Sequence, residues 1–533
     1  MSLDYYPYAS RRSAVLACNG VVATSQPLAA EAGLDTLRRG GNAVDAAIAT
    51  AAALTVLEPT SNGLGGDAFA LIWDGERVDG INGSGRWPRS MSAGQLRADG
   101  FSAVPERGWA PVSVPGGVAL WHDLHERHGR LDMASLLAPA IDYARHGYPV
   151  SPVVSGLWRN AFDLFSSLDD PAIRGWHEVF ARGGAAPRAG ERWSSPAMAE
   201  CLRRLSRRGL RDFYEGSIAE ALVAYARRTG GHLGADDLAS HASEWVEPVS
   251  TEYRGHTVWE MPPNGQGIAA LQALGMLEHR DLASLAHAGE DCWHLQIEAM
   301  KLAFADAYRY VADPQVASVP IAGMIDPAYL ASRADLIGDR AADPGPGVPP
   351  DHGTVYLCTA DRNGMMVSFI QSNYMGFGSG VVVPDVGVSL HNRATGFVLE
   401  EGHRNEAEGG KRPRHTIIPG FLTKGDRALG PFGVMGGEMQ PQGHLQVVSS
   451  MLDHGLNPQA ALDAPRWQIG GGLSVAVESE AAGVARALAP RGHDVNVVRD
   501  RGGFGRGQII VSLEDGVYAA GSEPRTDGCA ASW

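Results

Sequence analysis

Cysteine is scarce in this chain: five in 533 residues, Cys18, Cys201, Cys292, Cys358 and Cys529. An odd number spread this widely builds no disulfide framework, and no two of them form a CxxC metal knuckle. Positive charge is also short, 45 Lys and Arg against 60 Asp and Glu, a formal net charge of −15. So acidic a chain is a poor partner for polyanions, which sets aside nucleic acid and anionic membrane surfaces. The local basic cluster Arg203, Arg204, Arg207, Arg208 and Arg211 has helical spacing and reads as a solvated helix face. Long apolar runs are missing too. The most apolar stretch, residues 44–57, carries Asp45 and is too short to cross ~30 Å of hydrocarbon. The opening Met1-Ser2-Leu3-Asp4-Tyr5-Tyr6 has no basic region followed by an apolar core, so no secretory signal is expected. These absences predict a cytoplasmic protein. Familiar catalytic signatures are absent as well: no GxSxG elbow, no Walker loop, no GxGxxG after a strand. His125-Glu126-Arg127-His128 is one residue short of HExxH, and with His122 it reads as the polar face of a helix rather than a metal site. No internal repeat is found.

What is present is enough apolar residue, 44% against 20% charged, to bury a sizeable core. Pro27 suits a first helical position, Ala30, Leu34 and Leu37 recur at helical spacing, and Gly40-Gly41 stops the run. A second helix over 43–57 is almost entirely small or apolar and should be buried, with Glu58-Pro59 ending it. The turn Asn62-Gly63-Leu64-Gly65-Gly66 and a strand over 68–73 follow. Residues 115–334 read as mostly helical, broken by a strand over 257–261, the loop 262–267 and a helix from Ile268.

The most informative boundary is at 341–351, AADPGPGVPPD, which lacks periodicity and holds four prolines. It reads as an exposed, irregular linker. Strand patterns begin directly after it: 354–359, the Asn363-Gly364 hairpin turn, and a returning strand over 366–371. Thr354 therefore opens a strand at the end of a linker. Two glycine clusters remain open from their residues alone. Gly376-Phe377-Gly378-Ser379-Gly380 is compatible with a turn, and Gly433-Val434-Met435-Gly436-Gly437 with a turn or an anion-binding nest.

Six segments together resemble the γ-glutamyltranspeptidase family of the N-terminal nucleophile hydrolase superfamily. They are GGNAVDAAIATAAALTVLEPTSNGLGGDAFALI (40–72), YRGHTVWEMPPNGQG (253–267), EAMKLAFADAYRYVADP (298–314), HGTVYLCTADRNGMMVSFIQSNYMGFGSG (352–380), KRPRHTIIP (411–419) and GSEPRTDG (521–528). The resemblance implies an α/β (α+β) fold, a four-layer αββα sandwich. It also implies that the precursor cuts itself between Gly353 and Thr354. Residues 1–353 would form a large piece and 354–533 a small one carrying the nucleophile, the two remaining one folding unit. A threonine hydroxyl needs a base within reach. Once Thr354 is a chain terminus its own α-amine, with a reference pKa of ~7.7–8.0, can serve. By the same resemblance Gly436 and Gly437 would supply N–H groups to an oxyanion, and Ser372 would orient the nucleophile. No cofactor and no metal are implied.

The substrate pocket departs from the family pattern. Where γ-glutamyl enzymes place an arginine for the substrate α-carboxylate, four residues before a proline, this chain has Ser84, with Arg86 displaced by two. An adjacent serine pair is replaced by His415-Thr416, an asparagine by Tyr374, and an aspartate before a phenylalanine by Gly396. Arg393 stands where a glutamine would. Losing two charged anchors for an amino acid costs a few kcal/mol each. Arg393, Arg414 and His415 instead predict a pocket for a small anion or an acyl group. The family's amidohydrolase branch, with oxamate amidohydrolase and relatives of cephalosporin acylase, is therefore nearer. Arg393 is open to a second reading, an ion pair with the 399–410 loop. The expected activity is hydrolysis of a small anionic amide or acyl amide through an acyl-enzyme on Thr354. The alternatives are γ-glutamyl transfer or hydrolysis on glutathione, and an unprocessed, inactive homologue that acts as a binding protein. The expected partners are a small-molecule amide and the two pieces of the chain itself, and a homo-oligomer is left open.

Overall fold

The computed structural model describes residues 12–344 and 354–533. Two seven-stranded sheets lie face to face between two layers of helices. One sheet runs Cys529–Ser532, Gly20–Thr24, Val355–Asp361, Met366–Ser372, Asp67–Trp73, Val78–Asn82, Glu244–Val246. The other runs Val15–Ala17, Tyr518–Ser522, Arg506–Ser512, Arg427–Met435, Gly420–Lys424, His256–Glu260, Val249–Tyr253. This is the four-layer αββα sandwich that the resemblance implied.

The layering follows from side-chain alternation in strands covered on both faces. In Val355–Asp361, Tyr356, Cys358 and Ala360 point between the sheets, where Phe69, Phe421, Met435 and Ile510 meet them. Val355 and Leu357 point outward, into the helical layer that contains Ala43–Leu57. That helix is buried at all fifteen positions, as its composition requires. Its start is fixed by a reciprocal cap: Asn42 Oδ1 accepts from Asp45 N–H at 2.9 Å, and Asp45 Oδ2 accepts from Asn42 N–H at 3.1 Å. The opposite layer holds Gly267–Leu277, Glu290–Tyr310 and Met439–Leu452, packed on Val258, Leu422, Phe432 and Val434.

The hairpin forms as its turn residues dictate. Asp361 Oδ1 accepts from the N–H groups of Asn363 and Met365, at 2.8 and 3.3 Å, and Gly364 takes φ 88°. Its strand begins at Val355, so Thr354 sits immediately before the strand rather than in it. Besides the two-residue pair Tyr148–Pro149 and Arg192–Trp193, the middle of the chain adds to the large sheets two strands that its pattern hid, Glu244–Val246 and Val249–Tyr253. Both lie at sheet edges, one only three residues long and the other rich in half-exposed polar residues, so neither shows alternation. Of the expected linker, 341–344 have no regular structure, while the rest of it and Gly353 fall outside the described residues. Arg203 and Arg204 pair with Glu200 on the helix Pro196–Arg208. Among the described residues, no helix is long and apolar enough to cross a membrane.

Candidate active site

Thr354 is fully buried, and its Oγ1 lies 3.0 Å from Ser372 Oγ, the last residue of the returning hairpin strand. Ser372 Oγ also accepts from Tyr374 N–H at 2.7 Å. That contact needs the chain to turn sharply after the strand, and Tyr374 takes φ 75° to make it. An aromatic residue in the left-handed region is uncommon and is held there by its surroundings.

From Tyr374 an unbroken series of contacts reaches the glycine pair. The Arg393 guanidinium stacks 4.1 Å from the centre of the Tyr374 ring and donates from Nη1 to Thr416 Oγ1 at 2.7 Å. Gln266 Nε2 donates to Thr416 O at 2.9 Å and to Gly437 O at 3.0 Å. Thr354, Ser372, Tyr374, Arg393, Thr416 and Gly437 thus form one cluster although they span more than eighty positions of sequence. Gly436 (φ 138°) and Gly437 (φ 59°) end the strand Arg427–Met435 and lead into the fourteen-residue helix Met439–Leu452. A glycine pair in this conformation ahead of a helix N-terminus is suited to an anion, since backbone N–H groups and the helix dipole favour negative charge.

Arg393 is completely buried, and its Nε and Nη2 have no hydrogen-bond partner among the described residues. Burial lowers its pKa to about 10, against the nearby Tyr374 and Asp67, which raise it, so it remains a cation at neutral pH. It makes no ion pair with the 399–410 loop, and its guanidinium goes to Thr416 and Tyr374 instead. The other two expected positive groups are cancelled. Arg414 is held by Glu438 at 2.5 Å, which keeps it firmly charged but neutralises it. His415 is pushed well below its ordinary pKa by burial and by Arg393, and is neutral. Ile417 N–H donates to its Nδ1 at 3.3 Å, so the ring proton sits on Nε2, facing Asp67 Oδ2 at 3.0 Å.

The remaining substituted positions are occupied from within. Ser84 Oγ donates to Asn82 Oδ1 at 2.7 Å and accepts from Asn264 Nδ2 at 3.2 Å. Arg86 is drawn away to Asp313 (3.1 Å), Gln315 (2.5 Å) and Gly410 O (3.0 Å), so it does not stand in for an arginine at 84. A Cβ on Gly396 would lie 2.3 Å from Arg414 O. That slot is therefore closed to an acid rather than merely vacated.

Asp67 and Gln266, which lie inside two of the resembling segments, and His391 and Glu438, which lie in none of them, join the site without having been singled out by the sequence. Asp67 pairs in register with Ser372, accepts from Gly116 N–H at 3.0 Å, and is raised by burial to about 7. His391 is driven down to about 3 by burial and by Arg393. Among the described residues, His294, Glu298 and His493 form the one His/Glu group close enough to hold a metal. Apart from His493 Nδ1, which has no hydrogen-bond partner among the described residues, their atoms already serve one another, Lys301, Gly338 and Ala342. His125 Nε2 contacts Leu131 O.

The γ-glutamyltranspeptidase family model matches residues 29–533. The glutathione hydrolase-like YwrD proenzyme of Bacillus subtilis is 36% identical, covering 97% of this chain and 99% of its own. The oxamate amidohydrolase proenzyme of Klebsiella pneumoniae is 34% identical, covering 98% and 100%. The crystal structure of cephalosporin acylase from Bacillus halodurans superposes with a TM-score of 0.96 at 52% identity, covering 99% and 98%.

Proposed function

Because this chain belongs to the γ-glutamyltranspeptidase family, and is a hydrolase or acyltransferase of that family, we propose that Thr354 is its nucleophile and that cleavage before Thr354 activates it. Residues 1–353 and 354–533 are then the large and small pieces of one folding unit, in keeping with the word proenzyme in the names of its relatives. The observation that carries this reading is the buried Thr354 Oγ1, 3.0 Å from Ser372 Oγ and joined through Tyr374, Arg393 and Thr416 to Gly437.

The chemistry runs as follows. The new α-amine of Thr354 takes the hydroxyl proton and Oγ1 attacks the amide carbon. The N–H groups of Gly436 and Gly437 hold the oxyanion. The C–N bond breaks as the α-ammonium returns the proton to the departing amine, leaving an acyl ester on Thr354. Water then attacks that ester and releases the acid. Ser372, fixed by Tyr374 N–H, holds Oγ1 in line.

The substrate is a compact acyl group bearing an anion, for which Arg393 is the counter-charge, and oxamate is the simplest example. The names of the relatives divide among glutathione, oxamate and cephalosporin. The closed slot at Gly396 and the withdrawn Arg86 argue against a free γ-glutamyl amino acid. The test is kcat/KM for oxamate against glutathione on the cleaved enzyme. The reading expects oxamate to be favoured. Brisk turnover of glutathione with oxamate untouched would overturn it.

A further inference from the structure

We propose that the buried pair Glu260 and His444 are positioning residues for the oxyanion: braced against each other, they hold Gly436 and Gly437 in their working place. The inference rests on the reading of Thr354 and the glycine pair above. It adds two titratable groups to which that chemistry gives no part.

Two strand-turn-helix elbows meet at Gly437. In one, the strand Arg427–Met435 runs into the glycine pair and leaves it as the helix Met439–Leu452. In the other, the strand His256–Glu260 passes through residues 261–266 into the helix Gly267–Leu277. The elbows are tied at the tip, where Gln266 Nε2 donates to Gly437 O at 3.0 Å. They are tied again at the base, where His444 Nδ1 lies 2.5 Å from Glu260 Oε1. His444 stands two turns beyond Gly437, about 10 Å along the helix. The carbonyls of Gly436 and Gly437 accept from the N–H groups of Met439 and Gln440, at 3.0 and 3.2 Å. They are the first acceptors of that helix, so a shift of the helix is passed directly to the pair.

Each side chain touches both arms of its own elbow. The His444 ring, on the helix that leaves the glycine pair, lies 4.9 Å between centres from the ring of Phe432, on the strand that enters it. Glu260 ends its strand and leans on the start of the following helix, where a Cβ on Gly267 would lie 2.7 Å from Oε2. The positive end of that helix dipole favours a carboxylate there. Both side chains are fully buried, and Glu260 Oε2 and His444 Nε2 have no hydrogen-bond partner among the described residues. Burial raises the pKa of Glu260 and His444 opposes the rise, so the carboxyl depends on this one contact. Stability is a poor reason to keep such a pair, since apolar side chains in its place are often neutral or stabilising. What it supplies is a short contact of fixed direction between the elbow that carries Gln266 and the elbow that carries the oxyanion donors.

The test separates position from stability. The double variant Glu260→Leu/His444→Leu removes both groups together. Its kcat, counted per cleaved chain on an amide that the parent hydrolyses, is measured beside KM and Tm. The affinities of the product acid and of a boronic acid that forms a tetrahedral adduct on Thr354 are measured with them. The expected kcat is lower by about ten- to a hundredfold, the cost of a small misplacement, with a matching loss for the boronic acid. KM, product affinity and Tm should scarcely move. His444→Ala, which strands Glu260, should lose kcat as far and lower Tm as well. His444→Asn, whose amide falls where Nδ1 lies and keeps the contact, should recover most of the loss. Parent kcat in either folded apolar variant, a loss shared equally by product affinity, or an asparagine variant no better than alanine would overturn this inference alone. A cleaved parent that hydrolyses no oxalyl or glutaryl amide would overturn the reading on which it rests.

Discussion

Replacing Arg393 with methionine keeps the length of the side chain and removes its charge. The structure sets the size of the effect. Arg393 is fully buried and offers two N–H groups, on Nε and Nη2, that no described residue uses. A hydrogen bond to a charged group is worth roughly 1.5–3 kcal/mol, and no solvent screens this one. Two such bonds to a substrate carboxylate give at least about 3 kcal/mol, or roughly two decades in kcat/KM. The assay compares oxamate with oxamide, its neutral counterpart, on enzyme first checked for complete cleavage. Oxamate should lose about 10²-fold and oxamide far less. Arg393→Lys should fall between, since an ammonium restores charge without the planar fork. An equal loss for both substrates would mean that Arg393 only supports Tyr374 and Thr416, and the reasoning about the anion would be wrong.

Other expectations follow from the same geometry. Gly437→Val must place a β-branched residue at φ 59°, so kcat should drop on the order of 10²–10³-fold with little change in KM; a change confined to KM would make the pair a turn only. Gly396→Asp should not confer activity on glutathione, because the new Cβ meets Arg414 O at 2.3 Å; a lowered Tm with no gain of γ-glutamyl turnover is the expected result, and a gain would contradict it. Burial raises the folded pKa of Asp67 to about 7, above its ordinary value of 3.8. Its contribution is complete below the unfolded value and is lost as pH rises through about 7, an amount on the order of 4 kcal/mol. The Tm of Asp67→Asn relative to the parent should therefore climb between pH 4 and 7.5, and a constant difference would show that Asp67 ionises normally.

Local chemistry made much of this molecule legible in advance. The helix Ala43–Leu57 declares itself by composition, and the hairpin by Asn363-Gly364 between two alternating runs. Resemblance to a family pattern is what points to Thr354, Ser372, Gly436 and Gly437, and the fold brings Thr354, Ser372 and Gly437 into one chain of contacts. What stayed hidden is what depends on distant partners. Nothing near Arg414 announces Glu438, so its charge looked available when it is cancelled. His415 looked like a proton donor to the substrate, but its neutrality comes from burial beside Arg393 and its proton faces Asp67, 348 positions away. Arg86 looked like a displaced anchor until Asp313 and Gly410 claimed it. Val249–Tyr253 escaped notice because an edge strand with polar residues carries little alternation.

The central claim is that Thr354 becomes a chain terminus by its own attack. It is tested most directly by intact mass and N-terminal sequencing of freshly purified protein beside Thr354→Ala. The parent should give two pieces, roughly 37 and 19 kDa in proportion to their 353 and 180 residues of the 56.4 kDa chain, and the smaller should begin at Thr354. The variant should remain a single chain. An uncut parent that hydrolyses amides at full rate, or a variant that still cuts before position 354, would contradict the account.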